Sequence, residues 1–233
     1  MINCSIIVPT YNHLEDCLKP CLESVIKHTN LSDKEILVIA NGCTDGTPKY
    51  ISELIKSNDS IKILNYPDPL GYTESTNLGI EFTSGKYVVF LNNDTVLLDQ
   101  PTDLWINLLL EPLKDKNIAV TGPLMLRDRL TDYPFILFFC AATRRSIIQE
   151  IGTLDENFSP GGCEDIDFCI RAQKKGYKCI AVPGDHNITG ENKFFSGGFP
   201  IYHMGEGTFK HETGYSEHFS RNEQKILEKH GHR

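Results

Sequence analysis

The sequence predicts an α/β fold, with a mostly parallel central sheet flanked by helices and a smaller, less regular second part. Two observations carry this. Short apolar runs alternate with amphipathic helical patterns four times within about the first 95 residues, the rhythm of strand–helix–strand units with right-handed crossovers. The apolar runs themselves, such as EILVIA and YVVFL, are continuous and bounded by turn residues, which reads as buried strands.

The elements follow in order. Ser5–Val8 is a β-branched run ended by Pro9 and reads as the first strand. Leu14, Leu18, Leu22 and Val25/Ile26 recur at helical spacing, and Pro20 inside that pattern predicts a kink or a delayed helix start. Glu35–Ala40 is a strand, NGCTDGTP a turn, Thr47–Lys56 a helix and Ile61–Leu64 a third strand. The loop NYPDPLG leads into a helix over Tyr72–Phe82, and Tyr87–Leu91 is a fourth strand ending in NNDT. Beyond it, Pro101–Leu110 reads as a helix and Ile118–Thr121 and Ile136–Ala141 as strands. A glycine loop, Gly161–Asp165, runs into a helix over Ile166–Lys175, and Lys178–Val182 is a short strand. Asp185–Pro200 reads as a mobile loop and Ser216–His230 as a charged terminal helix. There is no internal repeat, no low-complexity segment and no linker marking a boundary, so residues 1–233 read as a single domain.

Composition narrows the function classes. The chain has 233 residues, 40% hydrophobic and 23% charged, which is ordinary for a globular protein. Its formal charge of −8 argues against binding nucleic acid through a basic field. The longest apolar stretch, Tyr133–Ala142, is about half a membrane span. The N-terminal MINCSIIVPTYN enters a strand directly, with no basic head or cleavage site, so no signal peptide or integral membrane segment is expected. The eight cysteines form no CxxC pair and several fit apolar positions; they read as buried free thiols of a reducing compartment, without zinc-ligand clustering. A cytoplasmic protein follows, with room for peripheral contact with a membrane.

In sheets of this kind ligands bind outside the carboxyl ends of the strands. Three polar clusters lie there and should converge: Thr10–Tyr11–Asn12, Asn41–Asp45 and Asn92–Asn93–Asp94. The last offers hard oxygen ligands for Mg²⁺ or Mn²⁺, or else is an Asx turn closing the strand. Glu164–Asp165, followed by Asp167, opens a helix. The pair is either a capping arrangement favoured by the helix dipole or, after two glycines, a general base beside a substrate. His203, in PIYHMGEGTF, is a metal ligand or a packed histidine.

Taken together in order, IIVPTYN, NGCTDGT, GYTESTNLGIEFTSGKYVVFLNNDT, CEDIDFCIRAQKKGY and YHMGEGTF resemble the inverting family 2 glycosyltransferases of GT-A fold, over about Ile2–Phe209. The likeness extends to rhamnosyltransferase-like members that build surface polysaccharides. It implies a nucleotide-binding half at 1–98, an acceptor and catalytic half at 99–215, and a terminal helix at 216–233. Pro9, Thr10 and Tyr11 match the nucleoside-binding strand end, and Asn77 a position near the nucleotide. The acid that usually contacts the base is Ala40 here, so Asn41, Asp68 or a backbone carbonyl would replace it. The family's Asp–x–Asp is Asn92–Asn93–Asp94, which leaves Asp94 as the metal carboxylate and Asn92 or Asn93 facing the ribose or a metal-bound water. His203 matches a third metal-ligand position, Asp165 the catalytic base and Glu164 its neighbour.

The implied reaction moves a sugar from a nucleotide diphosphate donor, UDP- or dTDP-linked, to a hydroxyl of a glycan, with Mn²⁺ or Mg²⁺ and with inversion. Phe194 and Phe195, beside Gly197–Gly198, suggest an acceptor lid. The chain could stand beside other transferase domains. Two other classes compete. One is a non-catalytic glycan- or partner-binding module of the same fold. The other is a sugar nucleotidyltransferase, which VPTYNHLED disfavours because it has no basic residue to hold a triphosphate.

Overall fold

The computed structural model describes residues 2–182, 198–205 and 215–231. Its centre is a seven-stranded sheet. In chain order the elements are β1 (Cys4–Thr10), α1 (Lys19–His28), β2 (Lys34–Asn41), α2 (Thr47–Ser57), β3 (Ile61–Tyr66), α3 (Gly71–Glu81), β4 (Tyr87–Leu91), β5 (Thr95–Leu97) and α4 (Leu104–Leu110). Next come β6 (Ile118–Gly122), β7 (Met125–Arg127), β8 (Pro134–Ile136), β9 (Cys140–Arg144), α5 (Arg145–Ile151), α6 (Glu164–Lys174), β10 (Lys178–Ala181), β11 (Ile201–His203) and α7 (Tyr215–His230).

The sheet order is β10-β6-β9-β4-β1-β2-β3. β3, β2, β1 and β4 run parallel, as the alternating pattern predicts. β9 lies antiparallel between β4 and β6, and β10 runs parallel to β6. Helices cover both faces, so β1, β2 and β4 are buried along their whole length, with two apolar cores, one on each face.

Two expectations need correction, and a third is decided between its alternatives. Pro9 does not end β1, which runs on to Thr10 paired with Ala40. Its ladder to β4 stops at Ile7–Phe90, so Pro9 removes no bond on that side. The run Ile136–Ala141 is not one strand. Its start pairs with β7 in a separate hairpin, its end joins β4, and residues 137–139 cross between them. A continuous apolar run does not reveal that its backbone bonds go to different partners. Pro20 sits in the first turn of α1, after a π-turn over Leu14–Leu18, so it delays the helix and does not kink it. β5, β7 and β11, each three residues long, left no readable pattern.

All eight cysteines are free thiols, and seven are buried. Among the described residues no helix is long and apolar enough to cross a membrane.

Candidate active site

The carboxyl ends of β1 and β4 open into a cleft of about 810 Å³. Pro9, Thr10, Tyr11, Asn41, Asn92, Asn93, Asp94, Glu164, Asp165 and His203 all line it. Of the residues singled out from the sequence, Asn77 is not brought there. Its amide instead joins α3 to the second half, donating to the Leu154 carbonyl at 2.9 Å and accepting from the Leu154 amide at 3.0 Å.

The first wall is built from strand ends. Asn93 Nδ2 donates to Thr10 Oγ1 at 2.8 Å, locking the end of β4 to the end of β1. The Asn92 amide donates to the Phe139 carbonyl at 2.8 Å, while its side-chain Oδ1 is buried with no hydrogen-bond partner among the described residues. β11 pairs antiparallel with β5, setting His203 opposite Thr95, one residue after Asp94. This brings His203 Nε2 to 3.2 Å from Asp94 Oδ1, both residues only 6% exposed. The imidazole stacks flat on Phe139, with centroids 4.2 Å apart, which fixes the ring plane.

The donor set fits a hard divalent ion. Ligand atoms sharing an edge of an octahedron with bonds of about 2.1 Å lie about 3.0 Å apart, close to the Asp94–His203 spacing. The unpartnered Asn92 Oδ1 on the same cleft adds an oxygen of the right type for an ion or its water. A second group, His13, Asp16 and Cys17, brings its donor atoms within 4.8 Å of one another, which amends the expectation that cysteine and histidine nowhere cluster. Asp16 there is exposed and already accepts from His13 Nδ1 at 2.9 Å, and burial pushes the Cys17 thiol up to about 12.

Asn41, on the cleft, spends both ends of its amide on backbone. Its Oδ1 accepts from the Leu70 amide and its Nδ2 donates to the Gly71 carbonyl at 3.3 Å, tying the loop after β3 to the end of β2. Asp68 is exposed and off the cleft. Gly71, at φ +82°, brings α3 against the second half: a Cβ there would lie 2.6 Å from the Pro160 carbonyl oxygen.

The opposite wall is the first turn of α6. Glu164 and Asp165 are each 7% exposed. Burial raises both carboxyls, and the charge of Asp165 adds to the rise at Glu164. Asp165 is raised less because Oδ1 accepts the Ile166 amide at 2.8 Å and Oδ2 the Phe138 amide at 3.4 Å. Among the described residues, the buried Glu164 Oε2 has no hydrogen-bond partner. Both carboxyls of the pair are therefore held above the usual carboxylate range, and Asp165 is the one whose two oxygens accept the Ile166 and Phe138 amides.

Tyr72, within GYTEST, carries no sequence signal of its own as a site residue. Tyr72 lines the cleft, and its phenol is raised by burial and by the charges of Glu164, Asp165 and Asp94, so it senses both walls. Phe138 and Phe219, also on the cleft, carry no signal beyond apolarity.

The comparisons with known proteins agree with this geometry. The family model described as Glycosyl transferase family 2 matches residues 5–133. The chain belongs to glycosyl transferase family 2. Among curated relatives of this family 2 chain, glycosyltransferase AglE of Haloferax volcanii is 23% identical over 208 residues, which are 80% of this chain and 65% of AglE. Chondroitin synthase of Pasteurella multocida is 30% identical over 115 residues, 49% of this chain and 11% of the synthase. Among solved structures, the mannosyltransferase PcManGT from Pyrobaculum calidifontis, in complex with GDP-Man and Mn2+, superposes with a TM-score of 0.66 at 19% identity, over 78% of this chain and 55% of that one. GalNAc-T7 with UDP, GalNAc and Mn2+ gives 0.67 at 17% identity, over 78% and 43%. The fold is thus the GT-A fold. This family 2 chain spans less than two thirds of the length of each of these relatives.

Proposed function

We propose that the chain is an inverting glycosyltransferase that moves a hexosyl group from a nucleoside diphosphate sugar to a hydroxyl of a glycan acceptor. The observation that carries this reading is the placement of two unlike acid centres on one cleft: Asp94 beside His203, and the buried pair Glu164–Asp165.

The nucleotide side falls to residues 1–98. Pro9, Thr10 and Tyr11 at the end of β1 take the nucleoside, with Tyr11 packing on the base or ribose and Asn92 or Asn93 facing the ribose. Asn41 supports this site through the backbone of residues 70–71 and leaves base recognition to backbone groups. A UDP- or dTDP-sugar, including a rhamnosyl donor, is favoured on the motif likeness alone. Asp94 and His203 would hold Mn²⁺ or Mg²⁺, which when bound supplies Lewis-acid stabilisation of the departing diphosphate.

Residues 99–215 face the acceptor. Asp165, raised by burial yet ionisable because two backbone amides stabilise its carboxylate, takes the proton from the acceptor hydroxyl. The acceptor oxygen forms its bond to the anomeric carbon from the face opposite the diphosphate, whose bond to that carbon breaks, so one displacement inverts the centre. No second carboxyl need protonate the leaving group, unlike the paired acids of a glycosidase. Glu164, its carboxyl raised by burial and by the charge of Asp165, stands beside Asp165 and orients the acceptor. The lid expected over Asp185–Pro200, with Phe194 and Phe195, lies outside the described residues but for its last three. Other transferase domains, and peripheral contact of a cytoplasmic enzyme with a membrane, complete the reading.

The test is a thermal-shift titration with UDP, dTDP, GDP and CDP, each with and without Mn²⁺, followed by donor hydrolysis and transfer assays. One diphosphate that stabilises the chain only with metal, and whose sugar conjugate is turned over, supports the reading. Binding without turnover returns the non-catalytic module, to which Ala40 and Asn92 in place of acids would then point. Pyrophosphate release from a triphosphate returns the nucleotidyltransferase.

A further inference from the structure

The loop that delivers Glu164 and Asp165 has little structure of its own. Gly162 at φ +96° and Cys163 at φ +74° both lie in the left-handed region, and the Cys163 side chain makes no cap bond to α6. A loop of this kind keeps one shape only if something outside it satisfies its carbonyls. That something is on α7, far away in the chain.

We infer that Asn222 is the positioning residue of the acid pair, and that α7 is thereby a working part of the active site. The inference rests on the reading of Asp165 as the base. Asn222 is 0% exposed. Its Nδ2 lies 2.8 Å from the Phe158 carbonyl oxygen, 3.0 Å from that of Gly162 and 3.2 Å from that of Gly161. One amide with two hydrogens thus gathers three carbonyls from the loop just before Glu164. Arg221 donates to Asn222 Oδ1 at 3.4 Å, which turns the Nδ2 end toward the loop, and to the Ser159 carbonyl at 2.9 Å. Phe219 covers the same turn, with a Cβ on Gly162 3.2 Å from its ring, and the backbone there at φ +96° favours glycine.

The rest of α7 is anchored independently. Arg129 forks onto Glu223 at 2.8 and 2.6 Å, and Lys229 and His230 reach Asp167 at 2.7 Å. Asn222 is therefore not what holds the helix to the body. It is what the helix, already held, applies to the loop. Misplacing a reacting group by about 1 Å costs on the order of 100-fold in rate, so this contact acts through turnover and not through donor binding.

The experiment compares Asn222→Ala, Arg221→Ala and Arg129→Ala in the full chain. Amide hydrogen exchange across residues 158–168 is read alongside kcat and donor KM. Asn222→Ala is expected to speed exchange in that segment at least tenfold and to lower kcat about 10- to 100-fold with donor KM within twofold. Arg129→Ala removes one anchor of α7 while Lys229 and His230 still hold the helix to Asp167 and Asn222 keeps its loop carbonyls, so loop exchange and kcat stay within twofold although Tm falls. Unchanged loop exchange in Asn222→Ala overturns the inference, as does an equal change in Arg129→Ala. Should Asn222→Ala fail to fold, Arg221→Ala decides: faster loop exchange with a several-fold loss of kcat supports the inference, and no change in either overturns it. If the unsubstituted chain turns over no sugar nucleotide, the proposed activity fails, and the exchange readout still decides whether Asn222 holds the loop.

Discussion

On one wall of the cleft, Thr10, Asn93 and Asp94 sit at or just beyond the ends of β1 and β4, and one side-chain bond, Asn93 to Thr10, joins them. On the other wall, Glu164 and Asp165 follow a loop whose carbonyls are held by side chains from elsewhere. Asn222 takes Phe158, Gly161 and Gly162, and Arg171 takes Ile151, Gly152 and Thr153. A site at strand ends inherits its geometry from the sheet ladder, so few residues beyond the ligand-facing ones are needed. A site on a loop has no ladder and must recruit donors from distant parts of the chain. The same contrast appears within one helix turn. Glu164 and Asp165 are buried with their carboxyls raised, whereas Asp167, two residues on, is buried and lowered. Burial alone would raise Asp167 too, but the His230 hydrogen bond and the charges of Arg171 and Lys229 hold it at about 2.

The largest effect that would break this comparison is on the base. Asp165→Asn is expected to cut transfer by about 10²- to 10⁴-fold while leaving nucleotide affinity within twofold, read by kcat and by calorimetry. Near-normal turnover would remove Asp165 from the role and the loop wall from the chemistry. Next is the strand-end wall. Asp94→Ala is expected to abolish the metal-dependent part of nucleotide binding, so that Mn²⁺ no longer adds to the thermal shift given by a diphosphate. A metal-dependent shift that survives in this variant would place the ion elsewhere.

The ion cluster behind the acid pair gives the third. Asp167→Asn removes a fully buried charge from among Arg171, Lys229 and His230, at a cost of about 3 kcal/mol. Because the folded carboxyl is depressed, Asp167 contributes stability above its unfolded value near pH 4, and that contribution is lost as pH falls toward about 2. Denaturant titrations should show the gap between the variant and the unsubstituted chain closing over that window. Glu164 has the opposite sign. Its folded carboxyl is raised, so its burial costs stability above its unfolded value, increasingly as pH rises. Glu164→Gln should melt about 2–4 °C higher at pH 8 and converge with the unsubstituted chain near pH 4. The smallest effect sharpens the placement of Asn77. Asn77→Ala should cost about 1–2 kcal/mol of stability, through the exposed ends of its Leu154 bonds, with no change in nucleotide affinity.

Legibility followed the same division. The parallel half could be read because its strands carry short apolar runs closed by turn residues, and YVVFL ends in the cluster that lines the cleft. The motif likeness puts Asn41 and Asn77 near the nucleotide; Asn41 lines the cleft and Asn77 does not, and both amides bind backbone. An asparagine in a polar cluster looks the same whether it meets a ligand or a carbonyl. The stretch 134–144 defeated periodicity because its residues are apolar for three separate reasons: a hairpin, the cleft wall and the central sheet.

Residue order alone carried the alternation of strand and helix, the polar strand ends and the acid pair at a helix start. These are local patterns, set by backbone preference and by the period of burial. Tertiary structure decided that His203 reaches Asp94, that Tyr72 feels both walls, and that Asn222 reaches the loop 60 residues before it. Each of those couples side chains on elements far apart in the chain, and nothing in the local sequence encodes the partner at the other end.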